Sequence, residues 1–391
     1  MKTFRGLVTV LALVLVPAGT AHASFFDTQR KGANCQNTRV TPEYWQAAAE
    51  AGIEFIRLVP DGWEADERDF LIGDADNFIR INRADLAVLE RVLDDAHDAG
   101  VGVVLAMFSL PGARWRQLNN DEDDGRLWRE VRYHAAADDF WRRLAGEVAG
   151  HPAIVAYDPL NEPHPEKEYG FAHPRVRGYE EWADSVRGTV ADINVFNRGI
   201  VKAIRRGDPD TPVIIEGGFY ASPAGFATLK PVDDSNVLYS FHFYESWEFV
   251  TFRVNDGRYT YPDRMPGVDA DMRARWSIDT LRRHMATVRS WADDFGIPSE
   301  RIIASEFGCD RRVGGAREYL ADVIAVLNEN EWHWAFYGFR GDGAWGGMDY
   351  ELGTEKLGWR FWDAVERGED SESLQNRHDN PLWEVIQREL R

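Results

Sequence analysis

Eight apolar, largely continuous runs punctuate the chain, over residues 31–34, 55–59, 102–108, 154–160, 213–216, 237–244, 301–307 and 334–339. A strand with one wet face alternates apolar and polar residues. A parallel strand covered on both faces reads as an unbroken apolar run, and that is the pattern here. Between the runs, apolar residues recur at helical spacing. Leu86, Leu89, Val92, Leu93 and Ala96 mark a helix over 84–99, and Gly100 follows it. Thr41-Pro42 opens a helix over 43–51 that Gly52 closes. Further helices are expected over 138–149, 179–206, 273–294, 317–330 and 381–390, with a short one over 225–229. Eight β-then-α units predict an α/β fold, a single (β/α)8 TIM barrel filling residues 24–391. The longest inserts, 111–129, 163–178, 245–270 and 340–379, all follow strands. They fall on the C-terminal face, where such barrels bind substrate.

Residues 1–23 read as a signal peptide. Lys2 and Arg5 give a basic start, residues 7–16 a ten-residue apolar stretch, and Ala21-His22-Ala23 a small-x-small cleavage site. The stretch is too short to span a bilayer, and no other segment is apolar enough, so no membrane span is expected. The mature chain is expected to be secreted or periplasmic, starting at Ser24, and to act as a monomer. With 65 acidic and 45 basic residues the net charge is −20, and no basic stretch offers a face to nucleic acid or a polyanion. Fifteen Trp, 13 Tyr and 21 Phe supply flat rings that can stack on the apolar faces of sugars. Export permits a disulfide between Cys35 and Cys309, and their spacing leaves that pairing open. No cofactor or metal is implied.

The sharpest signal is where carboxylates fall. The fourth run ends in Asn161-Glu162-Pro163 and the seventh in Ser305-Glu306-Phe307. Each Glu follows an apolar run and projects at the barrel mouth. Two carboxyls facing one bond suit glycoside hydrolysis, one giving a proton to the leaving oxygen and the other attacking the anomeric carbon. Arg57 ends the second run, where it would hold a neighbouring carboxylate ionised and lower its pKa. His242 and Tyr244 share a face of the sixth, and Asn161 stands ready to bond a sugar 2-hydroxyl. Glu216 is a rival carboxylate, either structural or substrate-binding, and Asp158 belongs in a buried hydrogen-bond network. Trp115, Trp128, Trp247 and Trp345 lie in mouth inserts and are candidate stacking rings. The acidic run 119–124 lacks the ordered ligand spacing of a calcium loop and reads as solvated. A Gly-x-Ser-x-Gly elbow, a His-x-His on the first run and a nucleotide loop are all missing.

Arg57, Asn161-Glu162-Pro163, His242-x-Tyr244 and Glu306, on runs two, four, six and seven, resemble glycoside hydrolase family 5, the cellulase-like retaining glycosidases. The resemblance spans nearly the whole mature chain. It implies a retaining β-glycosidase acting on a β-linked glycan. Glu162 would be acid/base and Glu306 nucleophile, with Arg57, Asn161, His242 and Tyr244 in support. Two positions depart from the family. Phe108 stands where many members carry a His that contacts the sugar in the −1 subsite. Tyr337 stands where a Trp usually floors that subsite, with Trp345 nearby in the insert. The substrate therefore cannot be carried over from cellulases or mannanases. A barrel that binds carbohydrate without turnover is the alternative, as is a transglycosylase working on a cell-surface glycan.

Overall fold

The computed structural model describes residues 25–267, 273–341, 347–354, 358–369, 377 and 380–391. The signal-peptide expectation and Trp345 lie outside them. Eight parallel strands close into a barrel: β1 Lys31–Cys35, β2 Phe55–Leu58, β3 Gly102–Ala106, β4 Ile154–Asp158, β5 Val213–Glu216, β6 Val237–Phe243, β7 Ile302–Phe307 and β8 His333–Phe336. Each pairs with its sequence neighbours, and β8 closes on β1 through Lys31 opposite Trp334. Helices cover the outside, packing on a core that runs through nearly every element.

The barrel floor is a separate apolar layer. Phe55, Val104, Ala156, Ile214, Leu238, Ile303 and Ala335, one from each of β2 to β8, are buried with Phe26 from the turn Phe25–Asp27. β1 contributes Gly32 instead. A Cβ there would lie 2.6 Å from the Phe55 ring, so the glycine is the space that the ring occupies.

Four expectations change. The helix expected over 179–206 is two, Tyr179–Ser185 and Ile193–Gly207. Gly188 turns left-handed between them, and the Asp192 side chain caps the second by accepting from the Asn194 N–H. The helix expected from 273 begins at Ile278. Arg273–Arg275 instead pairs antiparallel with Arg264–Pro266, a hairpin beyond the barrel. The helix expected from 138 begins earlier and runs Val131–Val148. β4 stops at Asp158 because Pro159 has no N–H to continue the ladder, so Glu162 sits in the following loop rather than at the strand end. Cys35 and Cys309 are both buried and form no disulfide. No helix among the described residues is long and apolar enough to cross a membrane.

Candidate active site

Arg57 organises the mouth. Its side chain is fully buried, and its donors fan out to four strands and a loop. Nε donates to Asp158 at 2.8 Å and Nη1 to Glu306 Oε1 at 2.5 Å and to Asn34 at 3.2 Å. Nη2 donates to Asn161 Oδ1 at 2.8 Å and lies 3.5 Å from Glu216. Burial alone would weaken the guanidinium's hold on its proton. Asp158, Glu306 and Glu216 outweigh that and keep it firmly charged.

Glu306 is buried. Its Oε2 accepts from the Tyr244 hydroxyl at 2.9 Å. Burial pushes its carboxyl above the usual range, with Glu162 adding to the push, against the pull of His242, Arg57 and Tyr244. Arg57 thus acts in the expected direction, but burial wins, and the expected net lowering does not occur. Burial and the Glu306 charge likewise raise Tyr244 and Tyr337 well above an ordinary phenol, so both stay neutral donors.

Glu306 owes its aim to an irregularity. The pairing register of β7 shifts against β6 between Phe241 and His242, and against β8 between Trp334 and Phe336. In a regular strand neighbouring residues face opposite ways. The extra residue lets Ser305 and Glu306 both reach the site. Ser305 Oγ lies 3.1 Å from His242 Nε2 and 2.5 Å from Ser240 Oγ.

Glu162 is the more open carboxylate, its side chain 31 % exposed against 6 % for Glu306. Its backbone is left-handed, with φ 47°, and its N–H donates to Glu216 Oε2 at 2.7 Å. His242 Nδ1 is 2.9 Å from Glu162 Oε1, and Nε2 is 3.0 Å from Glu216 Oε1. Burial disfavours charge on His242. Glu306, Glu216 and Glu162 outweigh it, so the ring is an imidazolium. Oxygens of Glu162 and Glu306 lie within 4.8 Å of each other and of a His242 nitrogen. That trio is the one cluster among the described residues with metal-ligand proximity. A cationic ring inside it and the Arg57 guanidinium against it make it a poor cation site.

Around this centre, Phe108 is buried, with its ring 5.7 Å from the Arg57 guanidinium and edge-on to Trp115 at 5.0 Å. A cleft of about 250 Å³ runs from Phe108 and Trp115 past Asn161 and Glu162 to His164 and Tyr220. Trp247 is exposed, whereas Trp128 borders that cleft with its ring largely buried against Phe196. Within the acidic run, Asp123 and Asp124 are ion-paired to Lys167 and Arg126 rather than simply solvated.

Three contributors escaped the sequence reading. Asn34 anchors Arg57, and Ser305 touches His242. Asp61 accepts the N–H groups of Phe108 and Ser109 at 3.1 and 2.5 Å, which fixes the turn carrying Phe108. Burial pushes Asp61 up to about 6. Asn34 was visible as the polar residue ending an apolar run. Asp61 had no comparable signal.

Residues 21–343 match the family model described as Cellulase (glycosyl hydrolase family 5). The chain belongs to glycosyl hydrolase family 5. Among relatives of this family 5 chain, Endoglucanase C of Acetivibrio thermocellus is 28 % identical over 216 residues, 54 % of this chain and 52 % of that protein. The chain thus spans about half the length of that relative. A β-xylosidase of Phanerodontia chrysosporium is 24 % identical over 62 % of this chain and 43 % of its own. The solved structure of Pseudomonas stutzeri endoglucanase Cel5A shares the fold, with TM-score 0.60 at 18 % identity, over 93 % of this chain and 94 % of that one.

Proposed function

We propose that the chain is an exported retaining β-glycosidase, with Glu306 as nucleophile and Glu162 as acid/base. The observation that carries this is the pair of carboxylates with oxygens within 4.8 Å, set in unequal surroundings. Retaining enzymes hold their carboxyls about 5–5.5 Å apart, while inverting ones leave room for a water at about 6.5–9.5 Å. Glu306, buried and bonded to Arg57 and Tyr244, is fixed for attack on the anomeric carbon. Glu162 faces the cleft and gives its proton to the departing oxygen. It then takes one from the water that releases the sugar from Glu306. Arg57 occupies Asn161 Oδ1, which leaves the Asn161 NH2 group to meet a sugar hydroxyl. Tyr337, buried and within reach of the Glu306 charge, takes the position of the ring under the sugar. Export rests on the leader-like residues 1–23.

The substrate is a β-linked glycan or glycoside whose sugar is left open by Phe108 and Tyr337. The test is sugar release from β-glucans, mannans, xylans, glycolipids and aryl β-glycosides, with Glu306→Ala alongside. Release that vanishes in the variant supports the reading, and longer oligosaccharides among the products would mark transglycosylation. Binding without turnover on every substrate, or full activity in the variant, overturns it.

A further inference from the structure

We propose that Glu216 is the positioning residue of the acid/base: one carboxylate holds the main chain of Glu162 through its peptide N–H and the carboxyl of Glu162 through the imidazole of His242. The inference rests on the reading of Glu162 as proton donor. Glu216 closes β5 with a fully buried side chain. Oε2 accepts the Glu162 N–H at 2.7 Å, and Oε1 faces His242 Nε2 at 3.0 Å and Arg57 Nη2 at 3.5 Å. Its own backbone is pinned. Asn197 Nδ2 donates to the Glu216 carbonyl at 3.1 Å, and Gly217 packs so closely on Gly225 that a Cβ would lie 2.9 Å from its backbone.

The first grip offsets strain. A left-handed backbone is strained for a non-glycine residue. A hydrogen bond to a charged acceptor is stronger than one to a neutral group. The bond from Glu162 N–H to Glu216 thus works against the strain of φ at 47°. The second grip sets charge. The groups facing His242 are Glu162 from the loop after β4, Asp158 from β4, Glu216 from β5, and Ser305 and Glu306 from β7. Arg57 from β2 touches Asp158, Glu216 and Glu306 behind them, and Tyr244 stands on the far side of Glu306. Glu216 is the carboxylate opposite Nε2. Burial pushes it up, but His242, Arg57 and the Glu162 amide outweigh burial and keep it ionised. An ionised Glu216 keeps the ring cationic, so Nδ1–H donates to Glu162 Oε1. That bond stabilises the anion left when Glu162 gives up its proton, and it reserves the other oxygen, Oε2, to carry that proton.

Glu216→Gln keeps the volume and an oxygen for the Glu162 N–H, but removes the charge opposite Nε2. His242 then loses its proton at lower pH, and proton donation weakens above that point. The experiment is kcat/KM against pH for Glu216→Gln on two aryl β-glycosides of the sugar that the panel identifies, one with a poor and one with an activated leaving group. The poor leaving group should lose about tenfold or more near neutral pH, and the activated one should stay within about threefold. The alkaline limb should move to lower pH for the poor leaving group. In a His242→Gln background, adding Glu216→Gln should change the leaving-group dependence little. Equal losses on both substrates with an unmoved limb would overturn the proposal and leave Glu216 a scaffold residue. If Glu216→Gln does not fold, Glu216→Asp gives the same readouts with the charge retained but withdrawn. A Glu306→Ala protein that still turns over would strike at the reading of the site rather than at Glu216.

Discussion

The floor and the mouth of the barrel are two layers of the same eight strands, two residues apart. Gly32, Phe55, Ala156, Ile214, Ile303 and Ala335 lie at the floor. Asn34, Arg57, Asp158, Glu216, Ser305 and Tyr337 follow each of them by two and lie at the mouth. Side chains two apart on a strand share a face, so both sets point inward. The floor is held by apolar burial, which is non-directional and tolerates changes that keep volume. The mouth is held by hydrogen bonds to one guanidinium and one imidazolium, which tolerate little change in charge. The floor therefore sets whether the chain folds, and the mouth what it can do.

The comparison breaks most visibly at Glu306. Glu306→Ala should lower kcat/KM by at least about 10⁴-fold while the unfolding midpoint stays near wild type. A collapse of both together would mean the two layers are not separable. Next, Glu162→Ala should cost about 10²–10⁴-fold on substrates with poor leaving groups and far less on activated ones, read as a kcat/KM ratio. At the floor the sign of the test reverses. Phe55→Ala should cost about 3–5 kcal/mol in denaturant unfolding, with turnover per folded molecule retained. A subtler effect lies in pH. As the proposed nucleophile, Glu306 attacks only when ionised, and burial raises its carboxyl. Activity should therefore fall, as pH drops, at a value above the ordinary glutamate range near about 4.3, and a limb at or below that value would contradict the burial argument. Smallest of all, Ile214→Val should cost about 0.5–1.5 kcal/mol and leave the pH profile unchanged.

The floor's strands were legible because each is covered on both faces and so reads as an apolar run. That same property hid the layering. A run such as 213–216 gives no hint that Ile214 and Glu216 share a face while Ile215 points outward to the helices. Glu162, Glu306, Arg57, Asn161, His242 and Tyr244 could be found because each is polar at or near the end of its run, and the structure brings all six together. Tyr337 joins them at the mouth. Asp61 could not be found, because its role depends on a turn that places it under the N–H groups of Phe108 and Ser109. The left-handed backbone of Glu162 was likewise invisible, since it is held by a carboxylate 54 residues away. The helix break before Ile193 was lost for a simpler reason: apolar residues on either side keep helical spacing across it.

The irregular register of β7 has a consequence for transplantation. Copying these side chains onto a regular strand of another eight-stranded barrel would turn either Ser305 or Glu306 toward the surrounding helices. A graft of this chemistry has to carry the extra residue with it, along with neighbours on both sides whose pairing accepts the slip. The unit to move is therefore three adjoining strands, not a set of amino acids.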